Sequence, residues 1–151
     1  LVLRQGCRAL LVLDTGISTV PWVDRALAGL ATDAVLHLRL HAGPRYRAAA
    51  AKLSEQSYGS HADELETSLM LAIVPEVVDM TRAEASPPSD GDFPGPLTYK
   101  DEASANYSHS GSYGDPTKAT RAKGDILLAA MVDDLAEQAT SFLAASASAR
   151  G

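Results

Sequence analysis

Ala9-Leu10-Leu11-Val12-Leu13-Asp14-Thr15-Gly16 is a short unbroken apolar run that stops at a polar turn. Five apolar residues in a row leave no solvent face, so the run reads as a central parallel strand covered by helices on both sides. The turn Asp14-Thr15-Gly16-Ile17-Ser18-Thr19 then falls at a strand C-terminus, where open α/β sheets hold ligands. Asp14 has two uses there. Its carboxylate can bind a metal or a substrate amine, or it can form the turn through its own backbone.

Downstream, helix and strand patterns alternate. Pro21 suits a first helical turn, with Ser18 or Thr19 as cap, and Val23, Leu27 and Leu30 recur along one face. Residues 34–40 alternate, with Ala34, Leu36, Leu38 and Leu40 on the drier side of a second strand. On a strand, His37 and His41 would lie roughly 13 Å apart, too far to share a metal, and both read as solvated surface histidines. Gly43-Pro44 breaks the chain before an Ala-rich helix from Arg45 to Leu53. Upstream, Leu1-Val2-Leu3-Arg4-Gln5-Gly6 reads as the end of a helix already under way, and no Met initiates it. The expectation is a C-terminal portion of a longer protein, with the N-terminal part of its sheet missing.

Chemistry concentrates in Gly59-Ser60-His61-Ala62-Asp63-Glu64-Leu65-Glu66-Thr67-Ser68. One imidazole and three carboxylates sit at the entrance of a helix whose stripe is Leu65, Leu69, Ala72 and Ile73. His61 is a candidate general acid/base beside a metal-activated water, or a histidine that merely stabilises the helix entrance. Asp63 and Glu66 stand at capping-box spacing, which needs no metal. Glu64 reads most simply as a solvated first-turn residue.

Residues 81–114 carry Pro87-Pro88, Gly91 and Pro94-Gly95-Pro96, which exclude long regular elements. A loop of that length is a lid, an interface arm or disordered. Tyr107, His109 and Tyr113 flank Ser110-Gly111, placed to close over a small polar ligand or to meet another subunit. Asp115 as cap and Pro116 as first residue begin a C-terminal helix, about 116–143, with Leu128, Val132, Leu135, Ala139 and Phe142 as its packing face.

Composition sets outer bounds. The 151 residues suffice for one domain with a buried core. A net charge of −6 argues against a nucleic-acid partner, which would need a concentrated basic face. No apolar run reaches membrane-spanning length. The single Cys7 cannot form an internal disulfide, which fits a reducing, cytoplasmic setting.

His61-Ala62-Asp63-Glu64-Leu65-Glu66-Thr67-Ser68 resembles the H-A-G-E-x-E-T-S signature of the creatininase family, with Asp63 in the usual Gly place. Pro75 and Val78-Asp79-Met80 follow as in family members. Ser110-Gly111-Ser112-Tyr113-Gly114-Asp115-Pro116, Ala119-Thr120 and Lys123-Gly124 are similar to the family's S-G-x-x-G-D-P-x-x-A-x-x-x-K-G segment. The resemblance implies a layered α/β/α fold with a mainly parallel sheet, here a single partial domain over residues 1–151. It implies a metal-dependent amidohydrolase cleaving a C–N bond of a small amide, cyclic or linear, in a homo-oligomer. By it, His61 is the catalytic proton-transfer residue and Glu66 the acidic residue beside the metal; Asp14 is the candidate replacement metal ligand, and Glu64 and Tyr113 are candidates for substrate contact. The cofactor would be a divalent metal, zinc or manganese, held mostly by residues absent from this chain. Where family members carry N-G-H after the strand, this chain has Asp14-Thr15-Gly16. The full-length parent is then the expected enzyme and this piece alone is expected to be inactive. The second reading is a non-catalytic creatininase-like binding or assembly subunit.

Overall fold

The structure, a computed structural model, describes residues 3–30, 32–86, 102–103 and 107–148. Strand β1 is Leu10–Asp14 and strand β2 is Val35–Arg39. They pair in parallel, Leu10 opposite Val35 through Asp14 opposite Arg39. Between them, helix α1 (Val20–Ala28) forms the crossover and packs on β2. Pro21 stands in its first turn, where a missing N–H costs nothing. This is an α/β fold with a parallel sheet, two-stranded among the described residues. Helix α2 is Pro44–Leu53, α3 is Glu64–Ile73 and α4 is Arg121–Ser148.

The chain divides into two compact units, Leu1–Arg47 with Ala130–Gly151, and Ala48–Ala129. The first contains β1, α1 and β2. Leu38 is buried there, whereas Leu13 is 55% exposed. The apolar run at β1 is therefore not covered on both faces by the described residues. In the same unit, Asp134 is buried and its carboxylate accepts from the Arg45 and Tyr46 amides at 3.3 and 2.9 Å. Those amides open α2 and have no partner within their own helix. Asp134 thus caps α2 from 88 residues away.

The second unit is built around the start of α3. Glu64 and Ser68 are fully buried and Leu69 nearly so. Thr120 N–H donates to Ser68 Oγ, and a Cβ on Gly124 would stand 1.8 Å from the Ser68 carbonyl oxygen. The start of α4 therefore approaches α3 as closely as backbone allows, and only glycine fits there.

Several sequence expectations change. His37 is not a solvated surface histidine: its side chain is 8% exposed and lies between two carboxylates. The C-terminal helix does not start at Pro116. Asp115 caps a separate turn, Pro116–Lys118, and extended backbone at Ala119 interrupts it before Arg121. The buried ridge of α4 is Gly124, Leu127, Met131 and Asp134, one position away from the apolar series through Leu128 and Val132. Much of the long 81–114 segment lies outside the described residues. Its opening carries a single turn at Met80–Arg82, capped by Asp79.

Candidate functional site

His61 is placed by backbone. It pairs with Tyr113 in an isolated antiparallel bridge. Tyr113 N–H donates to the His61 carbonyl at 2.7 Å, and the Tyr113 carbonyl accepts from Ser60 N–H at 2.9 Å. Ala62 follows with φ 45°, left-handed and non-glycine, a conformation that costs an L-residue about 1 kcal/mol. Asp63 then caps α3, accepting from the Leu65 and Glu66 amides at 2.9 and 3.0 Å. Glu66 reaches back, and its Oε2 accepts from Ala62 N–H at 2.7 Å. This departs from a capping box by one residue: Glu66 holds the amide of Ala62, before the cap, and not that of Asp63.

Glu66 does more than close its helix. The same Oε2 stands 3.7 Å from His61 Nδ1. The His61 ring is 58% exposed, with the Glu66 carboxylate on its Nδ1 side just beyond hydrogen-bond reach.

Glu64 is not solvated. Its Oε2 accepts from the Glu55 and Gln56 amides at 2.8 and 2.9 Å, and its Oε1 pairs with Lys123 Nζ at 2.5 Å. Burial works to raise its carboxyl pKa, but Lys123 and the two amides outweigh burial and hold it below the ordinary value. Both oxygens are committed to the protein. Tyr113 is also buried, and its backbone, not an exposed ring, meets His61.

Asp14 lies in the other unit, at the end of β1. Its Oδ1 accepts from Gly16 N–H at 3.1 Å and from the Thr19 hydroxyl. Its Oδ2 faces His37 Nε2 at 3.1 Å, and His37 Nδ1 faces Asp24 at 2.9 Å. Thr19 and Gly16 keep the Asp14 carboxyl below its ordinary pKa despite its burial. A cation there would have to displace His37 or Thr19. A mostly apolar cavity of about 340 Å³ opens beyond the strand ends, with Gly16, Ile17, Arg39 and His41 in its walls, and Asp14 does not line it. His37 and its two carboxylates were missed because residues 14, 24 and 37 share no local spacing. The two-residue pitch of a strand facing a helix is the only signal that links them.

The profile of the creatininase family, creatinine amidohydrolase, matches residues 2–139. The chain belongs to the creatininase family. Solved creatininases share the fold: one described as a manganese form has a TM-score of 0.69 at 26% identity. A Glu-to-Gln mutant complexed with creatine gives 0.66, and a creatinine amidohydrolase crystal structure 0.67, both also at 26% identity. These alignments cover 91–93% of this chain. The chain spans only 57–60% of the length of those creatininases. No curated protein matches it. No helix among the described residues is long and apolar enough to cross a membrane.

Proposed function

We propose that this creatininase-family chain contributes the proton-transfer half of an amidohydrolase site acting on a small amide. The observation that carries the reading is His61 backed by Glu66 at 3.7 Å with its ring open to solvent. Hydrolysis adds the oxygen of water to the carbonyl carbon, and the C–N bond then breaks as nitrogen takes a proton. His61 Nε2 carries that proton to the departing nitrogen, and Glu66 stabilises the charged ring while it does so. Glu64 and the Tyr113 backbone hold the frame around His61.

A solved relative is a manganese form and another is complexed with creatine, which favours a divalent metal and a guanidino-type amide such as creatinine as the probe. Among the described residues no three His, Cys, Asp or Glu side chains are grouped to hold a metal. His61 and Glu66 offer two donors and Asp14 is turned inward, so these residues do not fit a complete centre. We assign the metal ligands mainly to protein outside the described residues, and the proton transfer above does not pass through the ion. Exposed Ile17 and Trp22 give a homo-oligomer apolar surface to use, and the free Cys7 suits the cytoplasm.

His61→Ala in the longest polypeptide that hydrolyses creatinine should lower kcat by about 100-fold or more, with the fold unchanged by circular dichroism. Turnover that survives the substitution would sink the assignment. If no polypeptide containing this chain hydrolyses creatinine although it binds it, the non-catalytic subunit is supported instead.

A further inference from the structure

The proton-transfer reading requires His61 to stay aimed at Glu66, and the residue between them in the chain sits on strained backbone. Ala62 is the one non-glycine with positive φ among the described residues. Its N–H is held by Glu66. Its carbonyl accepts from the Ser112 hydroxyl at 2.7 Å. Thr67 Oγ1 lies 3.5 Å from the same oxygen, at the limit of a useful hydrogen bond. Ser112 is buried, and its own carbonyl is fixed by the Ser108 hydroxyl at 2.6 Å. Beside it, the Tyr113 backbone pairs with Ser60 and His61.

We propose that Ser112 is a positioning residue, whose hydroxyl clamps the Ala62 carbonyl and so keeps the His61 ring against Glu66. The proposal rests on the assignment of His61 above. Rotating Ala62 to an ordinary φ reorients the peptide that follows it and takes its carbonyl away from Ser112. The hydrogen bond and the left-handed backbone therefore stand or fall together. Backbone pairing with Tyr113 fixes where His61 is. The Ser112 clamp fixes which way its neighbour turns, and hence whether the ring and the Glu66 carboxylate meet.

The test uses the full chain and two NMR readouts that need no turnover. In Ser112→Ala, amide exchange at Ala62 should rise about tenfold, while Tyr113, bonded to the His61 carbonyl, changes little. The His61 Hα–Hβ couplings should move towards rotamer averaging. In an Ala62→Gly background the left-handed backbone carries no steric cost, so adding Ser112→Ala should lose most of its effect. Where creatinine hydrolysis is measurable, Ser112→Ala should lower kcat with KM little changed, and Ser112→Thr should restore it. Unchanged exchange and couplings, or equal effects in both backgrounds, overturn the clamp. If Ser112→Ala fails to fold alone but folds with Ala62→Gly, the clamp is supported; failure in both backgrounds assigns Ser112 a general core role and overturns it. Hydrolysis by the longest active polypeptide judges the amidohydrolase reading, whereas exchange and couplings in this chain judge Ser112 independently.

Discussion

Glu64 is a carboxylate with no exposed surface, facing an ammonium that is 11% exposed. Removing one partner of such a pair leaves the other charge buried, so Glu64→Ala should destabilise by about 3–5 kcal/mol, read from urea midpoints. Because its folded pKa lies below the ordinary 4.5, its contribution is complete above that pH. It is lost as pH falls through the lowered folded value. Melting temperatures should therefore drop on acidification below about pH 4.5, and Glu64→Gln should flatten part of that acid limb. Asp24 and Asp134 are lowered too, so the difference between the wild type and Glu64→Gln isolates Glu64. Local pattern could not show any of this. A first-turn Glu is ordinarily solvated, and Lys123 stands 59 residues away. Asp63 as a cap, by contrast, was legible, because its partners Leu65 and Glu66 follow within three residues.

Among the elements, α3 and the first turn of α4 meet where Gly124 faces the Ser68 carbonyl. Gly124→Ala must push backbone apart and should cost about 1–3 kcal/mol, seen as a lower melting temperature with an unchanged helical signal. The apolar series through Leu128 and Val132 misplaced the buried side of α4 for a related reason. Its true ridge includes a glycine that permits close approach and an aspartate that caps another helix, neither of which counts as hydrophobic. Asp134→Asn should weaken, and Asp134→Ala should abolish, the protection of the Arg45 and Tyr46 amides in hydrogen exchange. Strands and caps were readable here because their determinants are adjacent in the chain. Val35–Arg39 and the Pro21 and Asp63 helix starts fell within a residue or two of expectation.

At the level of the whole molecule, the order of motifs was enough to find the family, and the profile match over residues 2–139 bears it out. What the motifs could not convey is that Asp14 would spend its oxygens on Gly16, Thr19 and His37. Partners from a distant strand are invisible in a turn's own sequence. With those donors committed, the chain dialysed against manganese should retain well under one ion per molecule by elemental analysis. Stoichiometric retention would overturn this expectation and show that the chain alone completes a metal centre. The unit holding β1 and β2 is also discontinuous, closed by residues from 130 onward. During synthesis, the leading amides of α2 can find Asp134 only after the intervening 88 positions have left the ribosome. β1 and β2 must wait, half-finished, while the unit of residues 48–129 is made, and a holding chaperone has its longest opportunity in that interval.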